Sequence, residues 1–220
     1  MLPEMETRKK NITLVLGGAQ SGKSHYAQQL ASRFERVTFI ATARPTDAEM
    51  RKKIARHRRD RPVAWSTIEA PLDLHNTIRS ESQKADVLLI DCLTVYLDNV
   101  MGAGKKSKSN PKECIDALCD AIRASKASVI AVSNEVGSGV IPPYRSGRIY
   151  RDVLGQMNQK TAAIADRVIL MVAGQPLIVK DSTVSLQHVG PDPMVSPTDE
   201  LIDSANAGGQ RHSRSQAAFK

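Results

Sequence analysis

The segment Gly17-Gly18-Ala19-Gln20-Ser21-Gly22-Lys23-Ser24 reads G-x-x-x-x-G-K-S and follows directly on the apolar run Ile12-Thr13-Leu14-Val15-Leu16. A strand that ends in such a loop and then opens a helix is a phosphate cradle. Its glycines let backbone N–H groups turn inward around phosphate oxygens, and the helix presents its positive end. Lys23 can reach the β- and γ-phosphates, and the Ser24 hydroxyl can hold Mg²⁺. The motif predicts a nucleoside triphosphate site over residues 17–24.

Further apolar runs recur at 37–42, 87–91, 128–133, 168–172 and 177–180, and stretches with helical spacing, such as Ser24 to Phe34 and Glu113 to Ser125, lie between the early ones. This alternation predicts an α/β fold with a mostly parallel central sheet and helices on both faces. The last two runs are joined by Ala173-Gly174-Gln175-Pro176 alone. So short a link makes a hairpin, so one edge strand should be antiparallel. One domain is expected over residues 11–181. A flexible extension at 1–10, a flexible loop at 102–112 and a disordered polar tail at 182–220 complete the expectation.

No apolar run approaches the roughly 20 residues that span a bilayer, so no membrane insertion is expected. The start lacks the apolar middle of a secretory signal. Three cysteines, Cys92, Cys114 and Cys119, have no paired spacing; with no disulfide framework, a cytoplasmic location is expected. No His/Cys/Asp spacing suggests zinc.

The net charge is +8, and between Arg44 and Arg61 eight cations face three anions. A polyphosphate ligand accounts for this excess more economically than nucleic acid, because no aromatic-interleaved basic stripe accompanies it. A second basic cluster at Lys105, Lys106, Lys108 and Lys112 reads as solvated surface.

A Mg²⁺ site beside the phosphate loop wants a carboxylate at a neighbouring strand end. Asp91, closing Val87-Leu88-Leu89-Ile90-Asp91, supplies one; the competing reading is a cap for the next element. Thr46-Asp47-Ala48-Glu49 fits a capping box, and Met50 and Ile54 mark a buried stripe on the helix it starts. His57 follows near that helix's end, ahead of Pro62. Local sequence favours a surface histidine at a helix C-terminus. The alternative is a nucleophile toward phosphorus, kept neutral by Arg56, Arg58 and Arg61.

Four further segments narrow the reading. They are Ile40-Ala41-Thr42-Ala43; His57-Arg58-Arg59-Asp60-Arg61-Pro62 with Trp65, Thr67 and Glu69; Leu89-Ile90-Asp91-Cys92-Leu93-Thr94; and Ser133-Asn134-Glu135-Val136-Gly137-Ser138-Gly139-Val140-Ile141-Pro142. With the residues from Arg151-Asp152 to Ala165-Asp166, they resemble the bifunctional adenosylcobinamide kinase / adenosylcobinamide-phosphate guanylyltransferase family of cobalamin biosynthesis. The likeness runs from about Ile12 to Lys180.

That resemblance implies a single RecA-like P-loop domain and two reactions. Adenosylcobinamide is phosphorylated by ATP or GTP. GMP then passes from GTP to adenosylcobinamide phosphate through a GMP–histidine intermediate, and the matching position is His57. The nucleotide contacts it implies are Gly17, Gly18, Ala19, Gln20, Ser21, Gly22, Lys23, Ser24, Thr42, Ala43, Arg44, Asp60, Arg61, Pro62, Val63, Glu69 and Asp91. Lys23 and Asp91 join His57 as catalytic residues, with Ser24 and Asp91 on Mg²⁺. Asn134 and Glu135 either face the site or build a turn on Gly137 and Gly139. No tightly bound organic cofactor is expected. A homo-oligomer, of which a trimer is one form, is implied.

The chain departs from the family in carrying Val95-Tyr96 where tryptophan is common, and in Lys52-Lys53 before Ile54. The 103–112 loop and the tail have no counterpart. Two other readings compete: a kinase without guanylyl transfer, and a nucleotide-dependent switch acting on a partner. An ATP-driven nucleic-acid motor is weaker, since no second set of motor motifs is present.

Overall fold

The computed structural model describes residues 10–59, 61–103 and 110–182, without the side chains at positions 49, 53, 56, 57 and 103. Among the described residues, seven strands form one sheet: β1 Ile12–Gly17, β2 Val37–Ala41, β3 Ser66–Glu69, β4 Val87–Asp91, β5 Ser128–Val132, β6 Arg167–Val172 and β7 Gln175–Asp181. Their order is β3-β2-β4-β5-β1-β6-β7, parallel throughout except for the β6–β7 pair. The helices are α1 Lys23–Ala31, α2 Ala48–Arg59, α3 Leu74–Glu81, α4 Leu93–Ala103, α5 Pro111–Ala124 and α6 Arg145–Ile164.

The inner strands are buried on both faces, as parallel strands covered by helices must be. Alternation along β4 divides them: Leu88 and Ile90 pack with Leu74, Leu93, Leu118 and Leu154 of α3–α6, whereas Val87 and Leu89 pack with Ala27 and Leu30 of α1. A period of two therefore builds two cores from one strand.

Register aligns the strand ends. Ala41 pairs with Glu69 on one side and Asp91 on the other, and Asp91 pairs with Val132. Glu69, Ala41, Asp91 and Val132 thus stand in one row at the carboxyl edge, where open α/β sheets place their ligands.

The hairpin expectation holds, with a shorter turn. Only Ala173 (φ 50°) and Gly174 (φ 81°) connect the strands, and Gln175 already pairs with Val172. Positive φ at both central residues suits the right-handed twist of the flanking strands. At α2 the cap is Asp47, one residue later than expected: its Oδ1 accepts from Met50 N at 2.7 Å and its carbonyl accepts the first helical bond, from Arg51 N. The flexible loop expected over 102–112 is corrected at its ends. Helix α4 reaches Ala103, and Asn110 caps α5 by accepting from Lys112 N, with Pro111 at the first helical position. Asn-Pro is a helix-start signal. The expectations for residues 1–9, 104–109 and 183–220 lie outside the described residues. Among the described residues no helix is long and apolar enough to cross a membrane.

Candidate active site

Five strands deliver the site. A cleft of 470 Å³ opens at their carboxyl ends, lined by the phosphate loop, the strand-end row, α2 and Arg61. Pockets of roughly 300–1,000 Å³ hold one drug-sized ligand.

The loop between β1 and α1 needs its glycines. A Cβ at Gly17 would stand 2.6 Å from the Met171 carbonyl oxygen and from Ser21 Oγ. Gly22 has φ 93° and Gln20 φ 58°, so the backbone coils through the left-handed region twice. The hairpin turn braces the loop from outside: Gly174 N–H donates to the Ser21 carbonyl at 3.1 Å. Lys23 is 7% exposed, and its Nζ donates to the Gly18 carbonyl and to Ser21 Oγ. Ala19 through Ser24 all line the cleft.

Opposite the loop, Asp91 and Glu69 line the cleft with Phe39, Thr67 and Arg61. The Arg61 guanidinium lies 3.4 Å from the Phe39 ring centroid. Burial pulls its pKa down, Asp91 pushes it back up, and Arg58 lowers it further. No described residue bonds its buried Nε. Phe39 was not singled out from the sequence, because a strand phenylalanine carries no signal distinguishing platform from core. Its neighbour Thr42 behaves differently from what the resemblance implies. Thr42 is fully buried, its hydroxyl accepts from Cys92 N at 2.9 Å and donates to the Cys92 carbonyl at 2.7 Å, and it does not line the cleft. It ties the β2 end to the β4–α4 junction. Ala43 lines the cleft; exposed Arg44, Pro62 and Val63 do not.

The apolar stripe of α2 is part-buried, and it faces the cleft: Met50 and Ile54 line it together with Arg58. A stripe that reads as buried in sequence is therefore a site wall, since burial against a neighbouring element and burial against a ligand give the same pattern. Position 57 sits on α2 between Ile54 and Arg58; the His57 side chain and Asp60 lie outside the described residues. His25 lines the cleft on its exposed edge, its Nε2 3.0 Å from Gln29 Nε2.

Asn134 completes the lining. Side chains hold both ends of its peptide: its N–H donates to Thr94 Oγ1 at 2.7 Å, and its carbonyl accepts from Asn158 Nδ2 at 3.0 Å. Asn158 Oδ1 also accepts from Ser133 Oγ at 2.7 Å, and Tyr150 donates its hydroxyl to the Thr94 carbonyl. Thr94, Ser133 and Asn158 are buried. Glu135 does not line the cleft: its N–H donates to the Gly17 carbonyl at 3.0 Å, and its carboxylate accepts from Gly137 N and shapes the turn.

The donor set fits Mg²⁺. Ser24 and Asp91 offer hard oxygens to the same cleft, the ligand type this ion takes beside phosphates. Among the described residues no group of three His, Cys, Asp or Glu could hold a metal by itself.

Known proteins match the sequence of this chain over most of its length. The sequence profile described as cobinamide kinase / cobinamide phosphate guanyltransferase covers residues 13–179. The chain is 40% identical over 168 residues to a bifunctional adenosylcobalamin biosynthesis protein of Pseudomonas aeruginosa, across 76% of this chain and 96% of that one. It is 35% identical over 180 residues to the bifunctional adenosylcobalamin biosynthesis protein of Escherichia coli, across 77% and 99%. The counterpart from Salmonella typhimurium is 35% identical over 181 residues, with the same shares. The chain belongs to the cobinamide kinase / cobinamide phosphate guanyltransferase family.

Proposed function

We propose that the chain phosphorylates adenosylcobinamide with ATP or GTP and then transfers GMP from GTP to the resulting phosphate, through a covalent intermediate on His57. Family membership supports the pair of reactions. The observation that carries the assignment to residues is one cleft bounded by the phosphate loop on one side and by Met50, Ile54 and Arg58 of α2 on the other. Position 57 falls within that stretch of helix, three residues after Ile54.

Both steps are phosphorus transfers, in which positioning and charge neutralisation supply most of the rate. For the kinase step, loop N–H groups and Lys23 bind the triphosphate, while Ser24 and Asp91 would hold Mg²⁺, which when bound neutralises charge on the β- and γ-oxygens. The acceptor hydroxyl oxygen attacks the γ-phosphorus, the bond to the β-phosphate oxygen breaks, and the hydroxyl proton leaves to solvent. For guanylyl transfer, a neutral His57 nitrogen attacks the α-phosphorus of GTP. The α–β bridging bond breaks and pyrophosphate leaves with its electron pair. A phosphate oxygen of adenosylcobinamide phosphate then attacks the same phosphorus, the P–N bond breaks, and imidazole is restored. Arg58 and Arg61, both lining the cleft, stabilise oxyanion charge in this second reaction.

Incubation with GTP followed by mass spectrometry tests the reading. One added GMP on a peptide containing His57, lost in acid, is the expected result. Full transfer activity in His57→Ala protein would sink the covalent route. Homo-oligomerisation is part of the proposal, and light scattering on the purified full chain measures it.

A further inference from the structure

The exposed large apolar residues among the described positions are not scattered. Val136, Val140, Ile141, Tyr144 and Ile149 fall in one short stretch, and most of the others fall on the β6–β7 hairpin. Scattered exposed apolar residues need no explanation, but clustered ones mark binding surfaces. Val140 is 95% exposed, Ile141 67% and Tyr144 77%.

This stretch is also held in place. It leaves the cleft at Asn134, whose peptide is clamped at both ends, and Glu135 N–H ties it to Gly17 of the phosphate loop. Its far end is fixed to α6: Arg148 Nη1 donates to the carbonyls of Pro142 and Pro143 at 3.0 and 2.8 Å. A Cβ at Gly147 would come within 2.9 Å of Pro142 Cβ, so the glycine permits that close approach. Fixed backbone with apolar side chains turned to water is a costly arrangement for a loop with no ligand.

The acceptor's size supplies the ligand. The 470 Å³ cleft has room for one nucleotide, and the corrin ring of adenosylcobinamide is larger than what remains. Only its aminopropanol arm needs to enter; the macrocycle, broad and studded with methyl groups, must rest on a surface adjoining the cleft. We infer that Val140, Ile141 and Tyr144, on the stretch that leaves the cleft at Asn134, form the seat for the corrin ring. The inference rests on the proposed function for the identity of the acceptor.

Equilibrium dialysis with adenosylcobinamide, read by corrin absorbance, separates the two ideas. The V140S/I141S and Tyr144→Ser proteins, altered only at exposed side chains, should bind it about tenfold more weakly or worse. Their GMP labelling from GTP alone should match the unaltered protein, and Leu177→Ser on β7 should bind the corrinoid normally. Unchanged binding in both seat variants, or an equal loss in the β7 variant, overturns the seat while leaving the proposed function intact. Weaker binding that tracks a fall in oligomeric mass also overturns it, since the patch would then be a contact between copies. Failure of the unaltered protein to bind adenosylcobinamide would bring down both ideas.

Discussion

Arg61 lays its guanidinium over the ring of Phe39, 3.4 Å from the centroid, at the wall of the cleft. The stack holds one face of a planar cation, with Asp91 as the opposing charge that raises its pKa. Phe39 is 1% exposed and belongs to the core beside α1, so the platform is rigid. Arginine suits this position better than lysine, because only a planar group lies flat on a ring while presenting N–H donors sideways. Arg61→Ala should lower guanylyl transfer by about 10²- to 10³-fold, the usual cost of losing one oxyanion donor. Arg61→Lys should recover only part of that. Single-turnover transfer from labelled GTP measures both; a lysine variant with full activity would show that the stack is irrelevant to the chemistry.

Lys23 and His57 should separate the two reactions. Lys23 is buried within the phosphate loop, which the proposed function assigns to both reactions. Lys23→Ala should therefore abolish kinase activity and GMP labelling together. His57→Ala should abolish labelling and leave phosphorylation of adenosylcobinamide near its original rate. The two products differ by a GMP group, so chromatography of the corrinoid reads both in one assay.

The phosphate loop, the strand ends and the antiparallel edge were legible because each depends on a local pattern: glycine spacing, apolar runs, a link too short to cross over. Strand β3 was not, because Ser66-Thr67-Ile68-Glu69 is mostly exposed and has one apolar residue to announce it. The Met50–Ile54 stripe was legible as a buried stripe but not as a wall of the cleft, since sequence does not say what a hydrophobic face packs against. Thr42 was placed at the right strand end and given the wrong partner, because its bonds to Cys92 span fifty residues of sequence. Separations of 40 and 24 residues hid the clamp on Asn134, built from Thr94 and Asn158 on two different helices.

That clamp carries its own prediction. Asn158→Leu removes the 2.7 Å partner of the buried Ser133 hydroxyl, leaving it only Thr94 Oγ1 at 3.5 Å, and removes the Nδ2 donor of the part-buried Asn134 carbonyl. A buried polar group that loses its partner costs up to about 1–3 kcal/mol, so the melting temperature should drop by several degrees. The double variant N158L/S133A removes one orphan and should recover part of that stability. Activity should not recover with it, since Asn134 has still lost its anchor at the cleft wall. A double variant that regains both stability and the KM for GTP would reduce Asn158 to a packing role.

The opposite edge of the sheet offers a pH test that leaves the site alone. Asp86 precedes β4 and accepts from Arg36 Nε and Nη2 at 3.1 and 2.6 Å, and from Arg36 N–H at 2.9 Å, where the chain enters β2. The Arg36 side chain, then its backbone N–H, holds the Asp86 pKa below the ordinary carboxylate value, and Asp86 in turn raises that of Arg36. A depressed carboxylate pKa contributes stability that is present in full above the unfolded-state value, about 3.9. The contribution fades as pH falls through the lower folded value. Arg36 stays charged over that range and adds no pH dependence of its own. Asp86→Asn should therefore melt below the unaltered protein at neutral pH, and the gap should close as pH drops below about 4. Guanylyl transfer at neutral pH should be unchanged, because the cleft lies at the other ends of these strands. Thermal melts of both proteins across that range decide it: a gap that stays constant into acid would mean that Asp86 acts through hydrogen bonding its neutral form keeps, with its charge playing no part.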